Sequence, residues 1–397
     1  MTATRALVDP AMPRQPRGLH RAEACGVAPA SLRHGFRSPL AAILALALAG
    51  GGPALEASDA PDAQTAATPL RTSRSVQFGT GTGLAWQGSP VCDDEGNVFL
   101  VVVPPADPRD LKRPAAQARY TKRPYILRVS ADGKKTSVIK HHAVPAFANA
   151  DTVEPFGLAV DPSGSLHALM LVLREENDKE FEYKSGKQYI VSFDSKGQYS
   201  SHLEVDQDEM VVRRFEALGS GDFLLDGMRP GYRPRVAVMG GGGSFSDVIV
   251  LENNRDEAPL GAVENENQTS SLGALPGLPP HMARGGDGRV YFVARGRESV
   301  YAIEPSGQSR LAFKLARMPR SCQLIGLEAA GNRVVASYYE ERPKHGAWFW
   351  MAVYDTVLGE RLAVYGPADA HPVCYRCTDG QDQFTLLRGT TLVTMSP

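Results

Sequence analysis

Between residues 74 and 395 the chain is written in short apolar runs broken by turns rich in Asp, Gly and Ser. Apolar and polar residues alternate along many of the runs, the period of a half-buried strand. Two kinds of hairpin follow one another. The first joins two strands through an Asp-Gly turn, most clearly in PVCDDEGNVFLVV (90–102), GLAVDPSGSLHALML (157–171) and MARGGDGRVYFVA (282–294). Weaker copies are FEALGSGDFLLD (215–226), LIGLEAAGNRVVASY (324–338) and VCYRCTDGQDQFTLL (373–387). In the second copy Asp161 accepts bonds from amides further along the turn, Pro162 presets φ, and Gly164 supplies the positive φ that starts the next strand. The second kind turns at a hydrophilic tip, as in YILRVSADGKKTSVI (125–139), YIVSFDSKGQYSSHLEV (189–205), VYAIEPSGQSRLAFKL (300–315) and WMAVYDTVLGERLAVY (350–365).

One hairpin of each kind makes four antiparallel strands, and the unit recurs six times, with its turn glycines 43 to 68 residues apart. Such repetition predicts an all-β fold, a closed β-propeller of about six four-stranded antiparallel blades. Seven blades or tandem β-sandwiches are the alternatives. The last unit lacks a clear fourth strand. The segment SRSVQF (73–78) is expected to supply it from the other end of the domain and so close the ring.

Upstream the pattern changes. A basic stretch with Arg5, Arg14, Arg17, Arg21, Arg33 and Arg37 precedes an apolar run over residues 40–49 that is short for a membrane span. Residues 1–57 therefore read as a Sec-type signal, with an uncleaved anchor as the alternative. Residues 58–73 read as a disordered linker and 74–397 as a single propeller domain. The expected location is periplasmic or extracellular, with no stable membrane insertion after cleavage. A formal net charge of −1 gives no general attraction to nucleic acid. A monomer is expected. Gly240-Gly241-Gly242-Gly243 lacks the Lys-Ser/Thr of a phosphate loop.

The strand-and-turn residues Gly157-Leu158-Ala159-Val160-Asp161-Pro162-Ser163-Gly164 and Val300-Tyr301-Ala302-Ile303-Glu304-Pro305-Ser306-Gly307 resemble those of six-bladed propellers of the NHL-repeat and senescence-marker-protein/gluconolactonase superfamily. The resemblance runs over about 74–395 and is one of fold. It implies, for the gluconolactonase-like members, a divalent metal held in the central channel by Glu, Asn and Asp. Where those members carry Glu-Gly-Pro in the first strand, this chain has Gln87-Gly88-Ser89-Pro90.

The long insertions 103–123, 172–188, 227–234 and 340–347 and the linking loop 140–155 all fall on one face of the predicted disc, where binding is expected. The leading expectation is a binding or scaffolding module that recognises a protein, peptide or glycan through that face. Arg113 and Arg119 in the first insertion, and Arg213, Arg214 and Glu216 at a channel mouth, are candidates for an anionic group. The alternative is a metal-dependent hydrolase, lactonase or lyase in the channel. No cofactor is predicted outright. His141, His142, Asp151, Glu154, His281 and His371 are the candidate ligands for a Ca, Zn or Mn ion. Four cysteines remain beyond the signal, enough for two disulfides. Cys92 and Cys374 hold near-equivalent positions in the first and last units, so their pairing would staple the ring and leave Cys322 with Cys377.

Overall fold

The computed structural model describes residues 67–78, 85–104, 124–150, 152–173, 186–230, 233–250, 258–259, 282–293, 299–316, 318, 322–342 and 346–397. The expected signal segment therefore lies outside the described residues. The described strands form six sheets; four are meanders of antiparallel neighbours taken in chain order, and the other two each add strand material from elsewhere in the chain. Blade 1 runs Ala85–Cys92, Val98–Val103, Tyr125–Val129, Thr136–Ile139, and blade 2 runs Thr152–Val160, Leu166–Leu173, Lys187–Phe193, Tyr199–Val205. Blade 3 is Val211–Ala217, Phe223–Arg229, Arg233–Met239, Phe245–Asp247. Blade 4 is Met282–Arg284, Val290–Val293, Ser299–Ile303, Gln308–Lys314, and its outer edge gains the short strand Ile249–Val250 in parallel. Blade 5 is Cys322–Ala330, Arg333–Arg342, Gly346–Asp355, Arg361–Ala368. Blade 6 is His371–Thr378, Gln381–Arg388, Thr391–Ser396.

The fourth strand of blade 6 is Arg71–Gln77, antiparallel to Thr391–Ser396 from Arg71↔Ser396 to Gln77↔Thr391. It begins inside the segment 58–73 expected to lack structure. The ladder explains the difference, because pairing with the last strand satisfies backbone groups of a sequence too polar to fold alone. Just before it, Thr68 bridges Tyr365 on the outer strand of blade 5.

Apolar side chains between neighbouring blades hold the ring. The buried clusters pair blade 1 with 2, 2 with 3, 3 with 4, 4 with 5 and 5 with 6. A sixth packs Val98, Leu100 and Val129 of blade 1 against Val373, Leu387 and Leu392 of blade 6. That cluster closes the circle and decides for six blades over tandem sandwiches.

Each inner strand has a partner on one side only, so its other edge faces the channel with free backbone groups. Five of the six first hairpins also slip register in the inner strand, between Gln87/Val91, Pro155/Gly157, Val212/Arg214, Leu324/Gly326 and Pro372/Cys374. Such bulges bend the strand and re-aim the side chains beyond them.

Candidate functional site

Beyond the bulges the six inner strands run to the end of the channel where the Asp-Gly turns lie. A cavity of about 760 Å³ opens there, lined from all six blades. Its apolar wall includes Leu158, Phe215, Met282 and Leu327 together with the Cys92–Cys374 disulfide.

Two guanidiniums cross this opening. Arg284 of blade 4 donates from Nε to the Val160 carbonyl of blade 2 at 3.0 Å, and its Nη2 lies 3.5 Å from Asp94 Oδ1 of blade 1. Arg376 of blade 6 donates from Nη2 to the Asp94 carbonyl at 2.6 Å. It lies over the first turn at Gly96, whose φ of +84° favours glycine there.

Two carboxyl groups share the cavity. Burial pushes Glu216 up to about 7, opposed by the Ala217 N–H that its Oε1 accepts at 3.1 Å and by the field of Arg284. Burial alone pushes Glu328 up to about 8. Its Oε2 is sealed from solvent and has no hydrogen-bond partner among the described residues.

The sequence places Arg213, Arg214 and Glu216 together at a channel mouth as candidates for an anionic group. In the structure Arg213 sits at the bulge with its Nη2 3.6 Å from Asp226 Oδ2, and its buried Nε is unpartnered. Arg284 and Glu328 were missed.

The candidate metal ligands stay apart: among the described residues no three His, Cys, Asp or Glu side chains gather where an ion could sit. His141, His142, Glu154 and His371 belong to no such group. His141 and His142 lie in a 3-10 turn whose following residues pack into the blade 1–2 core, the two rings 5.3 Å apart edge-on. Burial, with the neighbouring His142, holds His141 down to about 4. Glu154 is on the inner strand of blade 2, and burial raises its pKa. His371 opens blade 6, with its Nδ1 2.7 Å from the Pro372 carbonyl. Asp151, His281, Arg113 and Arg119 lie outside the described residues.

Cys92 and Cys374 are joined, Cα to Cα 5.9 Å. Cys322 and Cys377 are not joined by a disulfide, contrary to expectation. Cys322 begins the inner strand of blade 5 while Cys377 is next to the end of that of blade 6, so they stand at opposite ends of the channel.

Asp161, His167 and Ser192 form a chain that the sequence did not suggest. The Nε2 of His167 lies 3.3 Å from Asp161 Oδ2, and its Nδ1 lies 2.8 Å from Ser192 Oγ. With Nε2 donating to the carboxylate, Nδ1 accepts from the hydroxyl. The imidazole packs edge-on to Phe223 of blade 3 at 4.9 Å, which makes the chain a clasp between blades.

The six sheets and the closed ring define the class, a six-bladed β-propeller. No protein-family model matches the chain and no curated protein matches its sequence. Solved structures do match. A puromycin hydrolase is 16% identical with a TM-score of 0.41, over 78% of this chain and 43% of the hydrolase, so this chain spans less than half of that enzyme. A protein of unknown function from Dyadobacter fermentans is 11% identical with a TM-score of 0.46, over 82% and 98% of the two chains. Regucalcin, a calcium-binding protein from Agrobacterium tumefaciens, is 12% identical with a TM-score of 0.43, over 83% and 94%.

Proposed function

We propose that this protein is an exported binding propeller that holds a small organic ligand in the turn-face end of its central channel. The observation that carries this reading is Glu328, a carboxyl in the cavity wall with a sealed, unpartnered oxygen. Burying such a group without a partner costs stability. Chains keep a residue of that kind where a ligand uses it. The cavity volume falls in the range of small-molecule sites. A concave seat of this size favours a small ligand over the broad contact expected of the long-loop face. The cation-assisted hydrolase alternative has no assembled ligand set among the described residues. Export fits the disulfide between the first and last blades. Among the described residues no helix is long and apolar enough to cross a membrane.

The test is a thermal-shift screen of the purified protein against small amines, acids, amides, alcohols and sugars, followed by crystal structures with the hits. Density between Glu216, Glu328 and Arg284 supports the reading. Hits that sit only elsewhere, or no hit in any class, sink it.

A further inference from the structure

The acids and bases of the turn-face cavity do not balance. Asp93, Asp94, Glu216, Asp287 and Glu328 line it against Arg284 and Arg376. Most of the acids are already satisfied. Asp93 accepts from the Asn97 backbone at 2.8 Å and its side chain at 2.7 Å, with Arg128 at 3.8 Å. Asp287 accepts from the Tyr291 hydroxyl at 3.0 Å and pairs with Arg289 at 3.3 Å. Arg284 serves Asp94 directly and Glu216 through its field. Arg376 is spent on the Asp94 carbonyl. Glu328 differs: its Oε2 has no hydrogen-bond partner among the described residues, and no neighbouring cation offsets the effect of burial on its pKa.

The channel also offers acceptors in the free edges of the inner strands. Arg284 already uses one, laying a planar N–H donor on the Val160 carbonyl. A positively charged nitrogen is therefore a group this wall accepts, and Glu328 marks a place where none is supplied from within.

We propose that the ligand is an organic cation, a primary ammonium or guanidinium on an apolar body, whose N–H groups pair with Glu328 while Leu158, Phe215, Met282 and Leu327 take the body. This rests on the reading of the channel end as a ligand seat. Burial pushes Glu328 up to about 8, so at pH 6.5 its carboxyl is expected to hold a proton until a cation arrives. A bound cation stabilises its carboxylate, so binding sends that proton to the buffer.

The test is titration calorimetry on the full-length protein at pH 6.5 with phenethylammonium and benzamidinium, against their neutral isosteres 2-phenylethanol and benzamide. Running it in two buffers of different ionisation enthalpy counts the protons released. The cations should bind at least about ten-fold more tightly than the isosteres and release close to one proton each. Glu328→Gln should lose the ten-fold preference and the proton release while melting no lower than wild type. Glu328→Asp, which keeps the acid on a shorter arm, should keep some of both. Failure of either cation to bind overturns the proposal. So does equal binding of the isosteres, or cation binding unchanged in Glu328→Gln. If the neutral compounds then occupy the channel in crystals, the seat stands and only the charge assignment falls. If no compound of any class enters it, both readings fall.

Discussion

Glu328 and Glu216 keep protons that an exposed glutamate gives up near pH 4.5, because the channel wall withholds water from them. The consequence for stability has a definite sign. Both groups bind protons more tightly folded than unfolded, so their contribution is full below about pH 4.5. It is lost as pH rises through about 7 for Glu216 and about 8 for Glu328. Each proton difference gives a slope of about 1.4 kcal/mol per pH unit. Glu328→Gln should therefore match wild type at pH 4.5 and gain on it steadily to pH 8, as read from urea unfolding at several pH values. A difference that stays flat with pH would show that the carboxyl is ionised in the folded protein. Glu328 stands in LIGLEAAGNRV as a lone acid in an apolar run. Period-two alternation assigns such a polar strand residue to water. Polar residues of an inner strand can instead line the channel cavity, as Glu216 and Glu328 do.

At the scale of the element, turns and bulges divide the labour. Asp161 Oδ1 accepts from the Ser163 and Ser165 amides at 2.8 and 2.9 Å, which shapes the turn, while its other oxygen meets His167. Burial opposes its ionisation, but the bonds from His167 and the turn hold the carboxylate well below the usual range. The turn half of this was legible, since Asp and Gly at fixed offsets have a local cause. The bulges were not, because they depend on pairing with the next strand. Blades 5 and 6 are tied by Asp382, which is 6% exposed. It accepts from Tyr365 at 2.5 Å, from Tyr375 at 2.6 Å and from Arg333 at 2.6 Å. Asp382→Ala leaves two tyrosine hydroxyls and a guanidinium without their acceptor. The expected loss is about 3 kcal/mol, the lower end for a broken buried pair because Arg333 keeps some contact with water. Chemical denaturation measures it, and a loss below about 1 kcal/mol would mean that water replaces the carboxylate.

For the whole molecule the repeat was the legible part. Six copies of one unit, and a polar strand at one end for a unit short of a strand at the other, were enough to anticipate the ring. The cysteine pair followed from equivalent positions in adjoining blades. The chemistry was less legible, since the cavity is assembled from residues in all six units and no short stretch of sequence contains it. Cys92 and Cys374 are 282 residues apart, so their bond constrains nearly the whole domain in the unfolded state. Replacing both with Ala should cost about 2–4 kcal/mol in urea unfolding. An unchanged midpoint would mean that the blade 6–1 core and the closing strand hold the ring without help.

The pairing of Arg71–Gln77 with Thr391–Ser396 also sets an order in time. The closing strand is among the first parts of the domain to be made, yet its only ladder is to the last. Until then the strand must wait for a partner some three hundred residues downstream, at the loop-closure cost that slows non-local pairing. The molecule behaves less like a row of domains that set one by one than like a belt, which bears load only after the buckle shuts.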